Sequence, residues 1–252
     1  MKQESNEKTQ PDVFYGIGVS PGIAIGRVFV VDRHELRIQR RKIAARRIAG
    51  EKKRFLQAVE RSKRQIAEIQ NQIESRQLSD NLHFLDILHA HLLLLEDRKL
   101  LDETCNLIAE KQVNAEWALK EVLDRYKEMF DAIEDEYLRE RRSDIDSVES
   151  RIQRNLLGLE TESVATIAEK VIVVAHDLSP ADTAQMDRGK IMGFATNVGG
   201  KTSHTAIMAR SLEIPAVVGL ENITSHVSNG DILILDGSTG TVILNPDQRY
   251  FN

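Results

Sequence analysis

A single cysteine in 252 residues leaves nothing for it to pair with. Cys105 therefore excludes a disulfide framework and a cysteine-built metal cluster. Its neighbours Leu101 and Ile108 place it as core filling in a helix. Proline is scarce as well, with none between Pro21 and Pro180, so that long interval is open to uninterrupted helices. Aromatic residues make up only 5%. No apolar run approaches the roughly 18 residues that a membrane-spanning helix needs. The polar stretch Met1–Pro11 lacks the apolar segment of a secretory signal. The expected setting is soluble, reducing and cytoplasmic, without a membrane or a metal site in these residues.

What is present is enough for a packed core, since apolar residues reach 41%. The net charge of −5 implies no partner by itself. It is unevenly spread: residues 33–64 hold 13 Lys/Arg against 3 Asp/Glu, so the remainder is strongly acidic. A basic block raises the question of nucleic acid. Phe55 is its one aromatic, and a helical stripe already accounts for that residue, so a stacking platform is not expected. The block reads as a solvated helix face.

Three regions follow along the chain. Residues 1–12 read as a flexible tail. Within 13–32, Ser20-Pro21-Gly22 and then Val28-Phe29-Val30-Val31 read as turn and strand. Residues 33–157 are helical in pattern. Phe55, Val59, Ser62, Ile66, Ile69 and Ile73 recur every three or four residues on one stripe. Ser79 or Asp80 caps a helix with Ile87, Leu88 and Leu92, Asn114 caps another with Trp117 and Val122, and Gly158 ends the last. Residues 158–252 return to strand candidates, at 171–174, 190–195, 232–235 and 241–244, with helices between. The fold class expected is α+β/α/β in two parts: an α/β domain from 13–32 plus 158–252, with a helical bundle, 33–157, inserted in it.

The chemistry concentrates in Gly199-Gly200-Lys201-Thr202-Ser203-His204-Thr205-Ala206-Ile207-Met208-Ala209-Arg210. Glycines let backbone approach an anion, and a following helix start aims N–H groups and its dipole at the same place. Thr202, Ser203 and Thr205 add hydroxyls; Lys201 and Arg210 add positive charge. A helix N-terminus keeps an imidazole neutral, hence nucleophilic, and stabilises the negative charge of a phosphorylated ring. The spacing is not that of a P-loop. Taken alone, a histidine near a helix start is as readily a cap or a surface residue.

That segment, continued by Ser211-Leu212-Glu213-Ile214-Pro215-Ala216-Val217-Val218-Gly219, resembles the active-site region of Enzyme I of the bacterial phosphoenolpyruvate:sugar phosphotransferase system. Gly18-Val19-Ser20-Pro21-Gly22-Ile23-Ala24-Ile25-Gly26, His91 to Asp97, Asp135 to Arg141 and Asp177 to Ala184 are similar to further motifs of that family. The resemblance covers roughly residues 14–246. It implies that the α/β part is a swivelling phosphohistidine domain, that His204 takes phosphate from phosphoenolpyruvate, and that it donates to the carrier HPr or an HPr-like protein. It implies that Thr183 orients the His204 ring, Arg210 assists the phosphate, and the helical part docks the carrier, with His91 near that surface. Glu68, Glu96 and Asp97 are candidate docking charges. Arg98 and Lys99 stand where the family continues with acidic residues, and His89 where one is common. The family continues into a barrel that binds phosphoenolpyruvate and Mg²⁺ and forms the dimer. The expectation is a fragment without that barrel: no cofactor of its own, monomeric, and unable to phosphorylate itself from phosphoenolpyruvate. A dikinase swivelling domain and a non-catalytic interaction module are the competing readings.

Overall fold

A computed structural model describes residues 12–31, 36–75, 82–133, 142–159, 167–187, 189–201 and 203–246. These residues fall into two compact units, one within Met1–His34 and Glu162–Asn252, the other within Glu35–Thr161.

The first unit is built on one eight-stranded sheet: β1 (Asp12–Tyr15), β2 (Ile17–Ser20), β3 (Ile23–Val31), β4 (Val171–Ala175), β5 (Ile191–Thr196), β6 (Ala216–Val218), β7 (Ile232–Asp236) and β8 (Thr241–Leu244). The spatial order is β1-β8-β7-β3-β4-β5-β6-β2. The centre, β3-β4-β5-β6, is parallel, and antiparallel pairs flank it on both sides. Val171-Ile172-Val173-Val174-Ala175 is buried along its whole length because β4 has a core on either face. Val171, Val173 and Ala175 join one apolar cluster with Leu178, Phe194, Ala206 and Ala209; Ile172 and Val174 join the other with Val28, Leu233 and Leu235. A strand covered on both faces must be apolar at every position, which is why this run has no polar alternation. Asp12, read from the sequence as part of a flexible tail, pairs with Leu244 as the first residue of β1; residues 1–11 lie outside the described residues.

Two helices of this unit position the site. Numbered in chain order, the helices of the molecule are α1 (Ile48–Ser75), α2 (Leu82–Glu96), α3 (Arg98–Lys111), α4 (Ala115–Asp131), α5 (Arg142–Leu157), α6 (Pro180–Ala184) and α7 (His204–Leu212), the last two belonging to the sheet unit. The run β4-α6-β5-α7-β6 connects neighbouring parallel strands through helices. Clefts of such folds form at the carboxyl ends of the strands. Residues 176–179 and 197–201 lie there, beyond Ala175 and Thr196 of the adjacent strands β4 and β5.

The second unit contains α1 to α5. Phe55, Val59, Ser62, Ile66, Ile69 and Ile73, the stripe read from spacing, are all buried. Gly158 ends α5 with φ +68°, a left-handed conformation natural to glycine. Asn114 stands at the N-cap position of α4 but makes no side-chain cap bond. Instead its amide ties Gln39, Arg41 and Glu116 together, holding the extended segment around Lys42 against Val113. Cys105 is only half-buried, not core filling. The expected Ser79/Asp80 cap lies outside the described residues. Among the described residues, no helix is long and apolar enough to cross a membrane.

Candidate active site

The chemistry-bearing loop leaves β5 at Thr196 and ends at α7, whose first residue is His204. The first N–H groups of any helix have no intrahelical acceptor, and those of His204 and Thr205 stand at such a start. Thr202 and the side chain of His204 lie outside the described residues. Ser203 is the N-cap: its Oγ accepts from Ala206 N at 3.2 Å and donates to Gly200 O at 2.8 Å. Its one hydroxyl proton thus serves the loop itself.

Gly199 adopts φ +125°, and a Cβ there would meet the Val218 Cβ at 3.1 Å. Conformation and space both require glycine at this position. Gly200 differs: a Cβ there would meet nothing within 4 Å. The exposed Lys201 supplies positive charge. Arg210, in the second turn of α7, donates to Lys201 O at 3.2 Å and to Val19 O at 3.5 Å, so it braces the loop from behind. Thr205 corrects an expectation. Read as a hydroxyl for the anion, it is buried and donates to Leu178 O at 3.1 Å, joining α7 to the segment before α6.

Thr183 lies in α6, which Ser179 and Asp182 start with reciprocal cap bonds around Pro180. Its hydroxyl is buried and donates to the carbonyls of Pro180 at 3.1 Å and Ser179 at 3.3 Å. Having used its proton on the helix, Thr183 keeps only acceptor capacity for any other neighbour. Helices α6 and α7 pack against each other. His176 was not picked out from sequence. It extends from the end of β4 and its Nδ1 lies 3.2 Å from Asn197 Nδ2, at the start of the loop. The only available signal was a histidine placed directly before Asp177-Leu178-Ser179-Pro180.

In the helical unit the expected docking residues divide. His91 is not on a surface: it is 2% exposed, and its Nε2 meets Asp144 Oδ1 at 3.3 Å between α2 and α5. A polar residue beside a leucine run is buried here because a carboxylate far along the chain reaches it. Asp97 caps α3, accepting from Lys99 N at 2.8 Å and Leu100 N at 3.4 Å. Glu96 is exposed and pairs with Lys63 at 3.6 Å. Glu68 is exposed on α1, and Leu93 is exposed one turn before Glu96. The most deeply held charge of this unit is Glu116. Burial pushes its carboxyl up, but bonds from Arg54 at 2.7 Å and Asn114 at 2.9 Å outweigh it and hold it below the usual carboxylate range. Arg54 also grips Glu51 at 2.6 Å and the Leu156 carbonyl at 2.9 Å; these acidic partners outweigh burial and raise its affinity for the proton. Among the described residues no cluster of His, Cys, Asp or Glu could hold a metal ion.

Comparison with known proteins gives two family matches. Residues 15–141 match the description "PEP-utilising enzyme, N-terminal", and residues 167–240 match "PEP-utilising enzyme, mobile domain". The phosphoenolpyruvate-protein phosphotransferase of Bacillus sp. (strain S) is 42% identical over 232 residues, covering 92% of this chain and 39% of that protein. The protein of the same name from Bacillus subtilis (strain 168) is 42% identical over 231 residues, with 92% and 40% covered. The chain thus spans about two fifths of the length of these curated relatives. A solution structure of an Enzyme I protein is similar with a TM-score of 0.79 and 41% identity, over 94% of each chain. The N-terminal domain of a nitrogen Enzyme 1 is similar with a TM-score of 0.60 and 25% identity, over 94% of this chain and 96% of that one.

Proposed function

Since the chain belongs to the PEP-utilising enzyme family, we propose that it is the phosphohistidine half of a phosphoenolpyruvate-protein phosphotransferase. His204 carries the phosphoryl group and donates it to HPr or an HPr-like carrier. The observation that supports this most is the place of His204: first residue of α7, directly after the Gly199 turn, at the carboxyl edge of the parallel sheet. Phosphoryl transfer asks a protein chiefly for positioning and charge stabilisation. The helix start, Lys201 and the loop backbone supply these, and the imidazole supplies the nucleophile.

Thr183 orients the ring in this reading. A hydroxyl that has donated to Pro180 O can only accept, so it would hold an imidazole N–H and leave the other ring nitrogen to attack. Arg210 acts by bracing Lys201. In the relay, phosphoenolpyruvate and Mg²⁺ belong to the part of the relatives that this chain does not span, and the protein works in the cytoplasm. The sheet unit is the swivelling domain, and the helical unit, lying in sequence between β3 and β4, docks the carrier. Glu68, Glu96 and the exposed Leu93 form its docking face. Lys63 and Lys99 temper that acidity, so the carrier is recognised by a mixed apolar and charged face.

The test is transfer from a phosphorylated HPr-type carrier to the chain. Wild type should gain acid-labile, base-stable phosphate, and His204→Ala should gain none. Equal labelling of both, or no labelling of wild type by any of several carriers, would overturn the proposal.

A further inference from the structure

The loop that ends in His204 is tied at both of its ends to one short segment, 176–178. At the far end, Thr205 Oγ1 donates to Leu178 O at 3.1 Å. At the near end, Val198 N donates to His176 O at 3.1 Å, and the Asn197 amide reaches the His176 ring at 3.2 Å. Asn197 is 7% exposed and its backbone is held on both sides, by Ala175 O and by Glu221 N.

The orientation of that amide is settled by its third partner. Asn197 Oδ1 accepts from the backbone N–H of Thr224 at 3.1 Å, and Nδ2 donates to Thr224 Oγ1 at 2.7 Å. A backbone N–H can only donate. Turning the amide over would set Nδ2 against it, donor to donor, so Oδ1 must face Thr224 N. Nδ2 therefore faces His176, whose Nδ1 must be the acceptor, with the ring proton on Nε2. Three segments meet at this one side chain: the end of β4, the start of the loop, and the short 3₁₀ turn Ile223–Ser225.

We propose that His176, accepting through Nδ1 from Asn197, is a positioning residue for phosphoryl transfer, holding the start of the Gly199–His204 loop in register with the anchor at Thr205. This rests on the phosphoryl-transfer reading above. His176 needs no contact with the phosphoryl group: it acts through Asn197. Loosening one end of a loop that carries the nucleophile costs rate, because in-line attack tolerates little displacement. It should leave carrier recognition alone, which that reading assigns to the helical unit.

The experiment compares three variants with wild type in single-turnover transfer from a phosphorylated carrier, with carrier affinity measured separately. His176→Phe, which has no acceptor, should slow transfer roughly tenfold or more with unchanged affinity. His176→Asn, whose amide oxygen can take the place of Nδ1, should restore most of the rate. Asn197→Asp, which replaces the donor, should behave like His176→Phe. Nitrogen NMR of wild type should show His176 protonated at Nε2 and not at Nδ1, a state that Asn197→Asp abolishes. Wild-type rates in His176→Phe, or equal slowing by His176→Phe and His176→Asn, would overturn the positioning role while leaving the relay intact. Absence of transfer in wild type would instead bring down the relay reading and this one with it.

Discussion

The two units use polar groups in opposite ways. In the helical unit, charge is interior structure: Glu116 is almost fully buried and is held by Arg54 and Asn114, while Lys127 is gripped by Asp146 and Glu149. In the sheet unit, apart from the Arg210 guanidinium on Lys201 O, the loop before His204 is fixed by neutral donors and acceptors, with Ser203, Thr205 and Asn197 bonded to carbonyl or hydroxyl partners. On the proposed relay, with His204 carrying phosphate and the helical unit docking the carrier, the difference has a chemical sense. A carboxylate fixed beside a phosphate-carrying ring would repel the incoming group, whereas hydroxyls and amides impose geometry without competing for charge. A docking scaffold has no such restriction and can be locked by ion pairs.

The most severe way to break that contrast is Arg54→Met, which removes the closest cation from the buried Glu116 and leaves it Asn114 and the more distant, exposed Arg41 at 3.5 Å. It should cost the helical unit about 3 kcal/mol at neutral pH. The only tryptophan, Trp117, lies in α4, so its fluorescence during urea unfolding reports this unit. Acid sharpens the test. With its folded affinity for protons lowered, Glu116 stabilises wild type fully above its ordinary value of 4.5 and progressively less as pH falls below it. In the variant the buried carboxyl has lost its strongest cation and is less costly when protonated, so the deficit should shrink below about pH 4.5. A deficit independent of pH would mean that the network owes its effect to packing.

A smaller effect is expected from Gly199→Ala. Its φ of +125° and the nearby Val218 Cβ make the methyl group unwelcome. The cost should be about 2 kcal/mol, confined to the sheet unit. Phosphate uptake should fall, while the Trp117 transition stays in place. A matching shift of that transition would show that the two units unfold together. Gly200→Ala, with open space around it, should change stability by less than about 0.5 kcal/mol. Between these two falls Asp97→Ala. As the N-cap of α3 it should lose about 1 kcal/mol from the Trp117 transition. Weakened carrier binding at unchanged stability would instead restore Asp97 as a docking charge.

How much of this could be read from the residues follows from where each is buried. β4 was visible because both of its faces are covered, leaving five apolar residues in a row. The stripe on α1 was visible because only one of its faces is covered. β1, β2 and β6 were not read as strands: they are four, four and three residues long, and β2 carries Gly18 in a bulged pairing with β6. In the site, the glycine turn and the helix start are local in sequence and were legible. The clamp was not, because His176, Asn197 and Thr224 come from three separate loops. His91 failed for the same reason, since Asp144 lies on a different helix.

The central pairing of the sheet also carries a kinetic consequence. Strands β3 and β4 are parallel neighbours, with Val31 opposite Ala175, yet the chain between them runs through residues 32–170, the whole helical unit included. Closing a loop of that length as random coil carries an entropy penalty that must be met before any β3-β4 bond forms. The helices are mostly short-range structures and can form first. Once formed they replace a floppy loop by a compact one, so the sheet's middle should assemble late, after the bundle.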